Sequence, residues 1–450
     1  MKIGTQLFAD GVAVAVAAGC SLAGTAFAQT SPTSGPLSSQ PGLNDVQLPT
    51  AVAIETLCPR LAPPNPQGTP EQRLRNSCAT LLRNASNPAT PAALQAVAPE
   101  EIHAAGRVAT TSPGGSPVSG RLLTLRSRGR GLMLADSGLS LNGLRLSAAD
   151  LLPAGSRGGG AAADTELGSR WGGFINGNYN TGDHDDSSRE DRFEFDDAGL
   201  TAGVDYRISD AFVAGLAGSW SETDVDFKNN LGSIDTTNWG VTAYGSYTMG
   251  NWYFDGQLAF SRMDYDTRRN IVSPALGFNT TAKGSTDGDQ MTLSIGGGYE
   301  MRTGNLTVTP YGRLDYLRLE VDSFTETEEI SGLGLDVNSQ TTESLQSAIG
   351  ARISTPISTG VGVFMPYATV EWNHEYENDS EGLAAKYTHD PFNTFFVIPS
   401  EEPDRNFFTV GLGVAATFQR GLSAFVNVDT VLGLSRTDAY AVTVGVRAEF

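Results

Sequence analysis

Few residues in this chain have the types and spacing that metal binding requires. Of the four histidines, only His184 stands among several acids, in the stretch Asp183-His184-Asp185-Asp186. Imidazole and carboxylate groups together could bind a divalent cation, but this stretch lacks the regular oxygen spacing of a calcium loop. A solvated acidic loop is the simpler interpretation, so we predict no metal site and no cofactor.

Groups suited to catalysis occur as isolated pairs rather than as a convergent set. His374 precedes Glu375, and His389 precedes Asp390, so either pair could supply an acid and a base. Sequence proximity is their only support, and no Ser-His-Asp or paired-carboxylate arrangement is found. We therefore predict no catalytic residue and no enzymatic activity. The function has to come from the elements that form the bulk of the chain.

The composition excludes some partners, and the N-terminus indicates export. The 450 residues carry a formal charge of -20 and include 52 glycines, which argues against nucleic acid, because phosphates require a basic surface. An uncharged stretch over residues 11–28 ends in Ala26-Phe27-Ala28, a typical cleavage signal. We predict a signal peptide over residues 1–28 and passage through the secretory translocon. A retained anchor and lipid attachment at Cys20 are the alternatives.

Two cysteines remain after that cleavage. Cys78 falls on the apolar face of a short helix that we predict to begin after Thr69, with Pro70 in its first turn. An even pair in an exported protein is a disulfide candidate, and the spacing is compatible with a bond between Cys58 and Cys78. Two buried free thiols are the alternative. A second, alanine-rich helix is expected at about residues 99–109.

Apolar and polar residues alternate through the C-terminal part of the chain. In the stretch NWYFDGQLAFS, for example, Phe254, Leu258 and Phe260 alternate with Asp255 and Gln257. A period of two places neighbouring side chains on opposite faces of a strand. Twelve segments with this pattern begin near Trp171, Phe193, Phe212, Asn238, Trp252, Gln290, Leu306, Thr342, Val361, Phe407, Leu422 and Ala439.

The connections between these segments alternate in length. Those after the even-numbered segments are short, as at Ser209-Asp210 and Gly250-Asn251, whereas most of the others are long and polar, as over residues 266–290 and 377–405. Outer-membrane barrels combine tight turns at one rim with long loops at the other. No apolar run long enough for a membrane-spanning helix follows the signal peptide. A water-soluble β-sandwich or propeller is the alternative.

We therefore predict an all-β fold, a 12-stranded antiparallel transmembrane β-barrel preceded by a short N-terminal region that is partly helical or disordered. The signal peptide is placed at residues 1–28, the N-terminal passenger or linker region at residues 29–165 and the barrel at residues 166–450. Such a barrel would lie as a monomer in outer-membrane lipid.

The N-terminal region holds a group of basic residues with no acid among them: Arg121, Arg126, Arg128 and Arg130. The side chains that we expect to face the lumen are mostly acidic, and they comprise Asp255, Asp315, Glu371, Asp429 and Glu449 besides Arg313 and Arg447. A negative, confined lumen would attract the arginines, which could then plug it. A solvated arginine-rich linker is the alternative.

The C-terminal residues resemble the assembly signal of bacterial outer-membrane proteins. Thr443, Gly445 and Phe450 match its polar residue, its glycine and its final aromatic residue, whereas Ala448 stands where an aromatic is common. The resemblance implies recognition by the barrel-assembly machinery. A last strand that pairs with the first would also leave the sheet without an edge.

Several stretches in order resemble the translocator of autotransporters, the type V secretion proteins of Gram-negative bacteria. They are residues 196–209, 287–300, 390–405 and 421–433, within a resemblance that covers residues 171–450. It implies an outer-membrane barrel that lets an N-terminal passenger reach the cell surface, with a helical segment inside the pore. An adhesive surface built from the long acidic loops, or a simple pore, is the alternative function.

The predicted passenger departs from the usual plan of that family. Residues 29–165 are few for a passenger, and no repeat for a β-helical stalk is present. Some autotransporters carry a Gly-Asp-Ser-Leu lipase motif. The nearest stretch is Ala135-Asp136-Ser137-Gly138, which lacks the strand and helix context and a partnered histidine. We therefore expect the chain to serve the passage and surface display of its own N-terminal region.

Overall fold

The computed structural model describes residues 35–61, 68–98, 101–111, 118–119, 121–122, 125, 139–141, 144–146, 170–377, 382–418 and 422–449. The predicted signal peptide, Cys20, the boundary near residue 165, and the residues Arg126, Arg128, Arg130 and Phe450 lie outside these ranges. The predicted domain boundaries therefore stay predictions.

Twelve antiparallel strands within the described residues close into a barrel, which confirms the predicted fold. Strand β12 pairs with β1 from Thr437 opposite His184 to Glu449 opposite Gly172, so no edge remains between the first and last strands. The strands are β1 Trp171–His184, β2 Phe193–Arg207, β3 Phe212–Phe227, β4 Gly232–Met249, β5 Trp252–Ser273, β6 Phe278–Tyr299, β7 Leu306–Val321, β8 Gln340–Ser354, β9 Gly362–Glu375, β10 Asn406–Phe418, β11 Ser423–Leu432 and β12 Thr437–Glu449. Met301–Thr303 and Ile357–Ser358 add short pairings to β7 and β9.

The predicted alternation becomes an apolar outer face and a polar inner face. Leu216, Leu258 and Leu412 are exposed on the outside of the barrel, whereas Gln257 and Thr201 are buried on the inside. Exposed apolar side chains on this scale would be a liability in water but are the normal surface of a barrel in lipid. No helix among the described residues is long and apolar enough to cross a membrane.

The predicted polar loop over residues 266–290 is wrong, because most of it is strand. Strands β5 and β6 continue to Ser273 and from Phe278, and a tight turn over residues 274–277 joins them. Gly277 closes this turn at φ 79°, a backbone conformation that favours glycine. Here the strands extend beyond the apolar belt, the band of apolar side chains on the outer face of the barrel. Their outer side meets water, so their outward residues become polar.

The long connections on this side of the barrel form a common rim, which we call the long-loop rim; the opposite end is the short-turn rim. A small antiparallel sheet lies at the long-loop rim and consists of Phe324–Thr325, Leu335–Val337, Leu383–Tyr387 and Phe396–Ile398. Two of these strands belong to the connection predicted as a polar loop over residues 377–405. Leu383 and Ile398 are buried, so this connection adds to the core instead of projecting into solvent.

Four helices whose bounds fall within the described residues precede the barrel: α1 Gln47–Leu57, α2 Pro70–Arg83, α3 Thr90–Ala96 and α4 Glu101–Thr111. A single 3-10 turn follows α1 over Cys58–Arg60, and a short hairpin pairs Leu139–Leu141 with Leu144–Leu146. The hydroxyl of Thr69 accepts a hydrogen bond from the backbone N–H of Gln72 at 3.3 Å and so caps α2 at its predicted start. Cys58 and Cys78 are joined by a disulfide that links the end of α1 to the middle of α2.

These helices pack into one apolar cluster with the inward side chains of the strand ends. Ile54, Leu74 and Leu94 of the helices share this cluster with Phe193 and Ile234 of the barrel. Burying a side chain of this size contributes roughly 1.5–3 kcal/mol. The helical region is therefore anchored to the barrel by a hydrophobic core at the long-loop rim.

Candidate functional site: the lumen and the long-loop rim

A segment of the N-terminal region lies inside the barrel near the short-turn rim. The guanidinium of Arg121 is fully buried and donates from Nε to Asp205 Oδ2 at 2.6 Å, while the Tyr244 hydroxyl donates to the same oxygen at 3.1 Å. Val118 and Leu122 pack beside this pair against the inner wall. A buried arginine that binds a carboxylate through two nitrogens has a defined orientation, so the segment is held in one position.

The middle of the lumen is lined by charged side chains. Arg313 donates from Nε to Asp315 Oδ2 at 2.6 Å and from Nη1 to Glu371 Oε1 at 3.2 Å, and the Tyr311 hydroxyl donates to Glu371 at 2.7 Å. Asp429 lines the same cavity, whose volume is about 330 Å³. Asp255 and Arg447 also lie on the inner face, as expected, while the side chain of Glu449 lies outside the described part.

A second ionic network, which we call the rim network, joins α4 to the loops of the long-loop rim. Arg107 donates from Nε to Glu190 Oε2 at 2.7 Å, from Nη2 to Glu190 Oε1 at 2.9 Å and from Nη2 to the carbonyl of Glu401 at 3.2 Å. Arg436 lies 3.1 Å from Glu401 Oε1. His184 stands between the two glutamates, with Nδ1 hydrogen-bonded to the Thr437 hydroxyl at 2.9 Å. The N-terminal region is thus tied to the barrel wall at both ends of the lumen.

Residues 173–429 match the family model described as "Autotransporter beta-domain". The chain belongs to this autotransporter family. The match confirms the resemblance and identifies the barrel as an integral outer-membrane translocator, in preference to a simple pore or an adhesin.

One solved structure and two curated relatives illustrate the similarity. The translocator domain of the autotransporter NalP from Neisseria meningitidis is 20% identical with a TM-score of 0.50, over 64% of this chain and 92% of that one, and shows the shared fold. Esterase EstA of Pseudomonas aeruginosa is 24% identical over 257 residues, which are 56% of this chain and 39% of the relative. An uncharacterized protein from the trpE-trpG intergenic region of Pseudomonas putida is 29% identical over 213 residues, which are 46% of this chain and 35% of the relative. The chain therefore spans well under half the length of these curated relatives.

The translocator's rim network holds two ionisable groups in unusual states. Burial lowers the pKa of His103 on α4 to about 4; Glu190 opposes this effect and Arg107 adds to it. Neither ring nitrogen of His103 has a hydrogen-bond partner among the described residues. Burial alone would raise the pKa of Glu401, but its contacts with His184 and Ser187 and the charge of Arg107 outweigh burial and hold that pKa at about 2.

Another ionic centre of the translocator was not anticipated from the sequence. Arg269, buried on the inner side of β5, makes a bidentate ion pair with Glu326 and donates to the carbonyls of Ala96 and Leu333 at 3.0 Å each. It thereby joins the end of α3, the barrel and the small rim sheet. Met263, Tyr265 and Arg269 occupy alternate positions and therefore lie on one face of the strand. A search for alternation with a polar outer face would have shown that the strand continues here.

The histidine pairs considered for catalysis are not brought into a catalytic arrangement. His374 Nδ1 contacts Asn406 Oδ1 at 2.9 Å on the outer side of the barrel, whereas Glu375 is buried on the inner side, where it accepts from the Ser344 hydroxyl at 2.6 Å. Asp390 accepts from the backbone N–H of Phe392 at 2.7 Å and so stabilises a turn. Each acid thus has a local structural partner.

Proposed function

We propose that this translocator serves the passage of its own N-terminal region and keeps helices α1 to α4 folded at the long-loop rim, displayed at the cell surface. The observation that carries the proposal is the course of the chain: Arg107 binds Glu190 at the long-loop rim, and Arg121 binds Asp205 near the short-turn rim. Fourteen positions separate the two arginines, and their side chains are only 10% and 0% exposed.

Retention of the helices at the rim has a physical basis. Their apolar faces are covered by inward aromatic residues of the strand ends, including Phe193 and Phe195, which are almost fully buried. Release of the helices would expose both surfaces to water, at a cost that scales with the apolar area uncovered. The N-terminal region therefore gains stability from remaining on the barrel after passage.

An epitope inserted between Leu61 and Gly68, in the connection between α1 and α2, tests the proposed display. We expect antibody to bind this epitope on intact cells. The matched control is the same epitope between Gly250 and Asn251, in a turn of the short-turn rim, which should be detected only after the outer membrane is permeabilised. Detection of the control but not of the first epitope on intact cells would contradict the proposed orientation.

We also propose that the segment containing Arg121, Arg126, Arg128 and Arg130 plugs the lumen. Arg121 supports this through its buried pair with Asp205. Replacement of all four arginines by glutamine should raise single-channel conductance in planar bilayers, because the segment loses its electrostatic attachment. Arg302→Gln, at an exposed position of the short-turn rim, serves as the control and should leave conductance unchanged. Equal conductance of the fourfold variant and the native protein would contradict the plug.

For assembly, we propose recognition of Thr443, Gly445 and Phe450 by the barrel-assembly machinery. Gly445 has a further constraint, since a Cβ there would collide with the side chains of Asn176 and Phe425. If the assembly machinery recognises Phe450, then Phe450→Ala should slow membrane insertion in cells without changing the stability of protein refolded in detergent. Unchanged insertion in cells would contradict this role.

We propose that the chain itself has no enzymatic activity, although relatives carry the names esterase and lipase. Among the described residues, the hydrogen-bond partners of the histidine ring nitrogens are Thr437 and Asn406, not a serine nucleophile. The purified chain should not hydrolyse p-nitrophenyl butyrate above the background rate. Hydrolysis that is abolished by a serine-directed inhibitor would contradict this proposal.

A further inference from the structure

Three groups that can bind metal converge in the rim network. His184 ends β1, Glu190 lies in the loop that follows, and Glu401 comes from the connection between β9 and β10. Nε2 of His184 lies 3.4 Å from Glu190 Oε2 and 3.5 Å from Glu401 Oε2, and one ligand atom from each residue lies within 4.8 Å of the other two. The side chains of His184 and Glu190 are 2% and 4% exposed.

These distances do not describe ordinary hydrogen bonds. An imidazolium that donates to a carboxylate does so at roughly 2.7–2.9 Å, and Nε2 of His184 makes no hydrogen bond with the described residues. Two carboxylate oxygens and a buried ring nitrogen that face one another repel unless a positive species lies between them. A cation bound at this position would offset that repulsion and give Nε2 a partner.

The spacing fits a metal ion. Zinc binds imidazole nitrogen and carboxylate oxygen at about 2.0–2.2 Å, so two ligand atoms of a tetrahedral site lie about 3.3–3.6 Å apart. The distances from His184 Nε2 to both carboxylates fall in this range. The contact of Nδ1 with Thr437 also orients the ring, as the second partner of a zinc-binding histidine commonly does.

We propose that His184, Glu190 and Glu401 bind one divalent transition-metal cation, with Zn²⁺ as the best fit. The nitrogen ligand disfavours Ca²⁺ and Mg²⁺, which prefer oxygen. Arg107 donates to both oxygens of Glu190, including Oε2, which faces the ring, and a carboxylate has enough lone pairs for both partners. The positive charges of Arg107 and Arg436 reduce the affinity but hold both carboxylates in position.

Such an ion would join three separate parts of the rim. It would link the end of β1 to the connection before β10 and, through the pair between Glu190 and Arg107, to helix α4. The metal would thus hold the displayed N-terminal region against the barrel.

Cobalt binding to the full-length protein, refolded in detergent and freed of metal by a chelator, tests the site directly. Co²⁺ in a tetrahedral site of nitrogen and oxygen ligands absorbs visible light, and added Zn²⁺ should displace it. We expect one Co²⁺ per chain. His184→Ala and Glu401→Gln should each lower the affinity at least about 100-fold. The control is His374→Ala, which removes a rim histidine outside the cluster and should leave binding unchanged.

Two results would overturn the proposal. One is the absence of stoichiometric Co²⁺ or Zn²⁺ uptake by the native chain. The other is equal affinity in the native chain and in Glu401→Gln. Because Glu401→Gln retains the size of the side chain, its barrel should fold; heat-modifiable migration in gels checks this for every variant.

Discussion

Each strand has a lower half, nearer the short-turn rim, and an upper half, nearer the long-loop rim. These two halves differ in which face is apolar. In the lower half of β5, Leu258 and Phe260 face outward and Gln257 faces inward, whereas further along the strand Asp266 faces outward and Tyr265 is buried inside. The alternation itself does not change along the strand. The reversal teaches that the medium on each side of the wall decides which face is apolar: lipid outside the lower half, and a helical core inside the upper half.

A row of aspartates on the outer face supports this division. Asp196, Asp224, Asp235 and Asp266 lie directly opposite one another across four neighbouring strands. Like charges in such positions repel, and water and salt must screen them. The row lies beyond the paired rings of Trp220 and Trp239, which fit the aromatic girdle at the edge of the apolar belt.

The largest effect on the upper half is expected from Arg269→Ala. It leaves Glu326 buried without its partner and removes two hydrogen bonds to the backbone, so the free energy of unfolding should fall by about 3–5 kcal/mol. Hydrogen exchange of α3 and urea unfolding in detergent measure this loss. The neighbouring Arg268 is 55% exposed and faces outward, so Arg268→Ala should cost less than about 1 kcal/mol. Equal losses would contradict the polarity reversal.

A charged side chain introduced on the lower half of the outer face should have the second-largest effect on stability. Leu258 lies on the lipid side between the aromatic residues Trp252 and Trp239, so Leu258→Arg should destabilise the barrel in bilayers by about 2–4 kcal/mol. Asp266→Arg places the same side chain beyond the belt, where the expected change is below about 1 kcal/mol. Urea titration in lipid vesicles compares the two variants. A cost at Asp266 as large as that at Leu258 would place both positions in the same medium.

A smaller, pH-dependent effect is expected for the docking of α4. The pKa of His103 is about 4 in the folded protein, below its usual value of 6.5. Between these values the unfolded chain binds a proton that the folded protein does not, so the contribution is complete above about pH 6.5 and is lost as the pH falls toward 4. From pH 7.5 to 5, the free energy of unfolding should drop by roughly 2 kcal/mol.

Hydrogen exchange of α4 at the two pH values measures this drop. His103→Leu is the control and should remove most of the pH dependence. Glu401 changes protonation mainly below this window, because its folded pKa is about 2 and its usual value is 4.5. An unchanged pH dependence in His103→Leu would assign the effect to another group.

The sequence predicted secondary structure correctly where the surroundings of a segment stay the same along its whole length. The alternation around Leu258 and Val444 located strands β5 and β12 in the lipid belt, and Thr69 located the start of α2. It failed over residues 266–290, where a strand with a polar outer face was taken for a loop. It also could not predict the contacts of Glu401 with His184 or of Glu326 with Arg269. The residues of each pair are distant in sequence and meet only in the folded barrel, so they leave no local sequence pattern.

Labelling of single free cysteines on intact cells, with the disulfide between Cys58 and Cys78 kept oxidised, tests the central claim, the change of medium along one strand, most directly. Leu258→Cys and Asp266→Cys, each in a Cys20→Ser background, are exposed to a membrane-impermeant maleimide. The account predicts rapid labelling at position 266 and protection at position 258. Equal labelling at the two positions would contradict it.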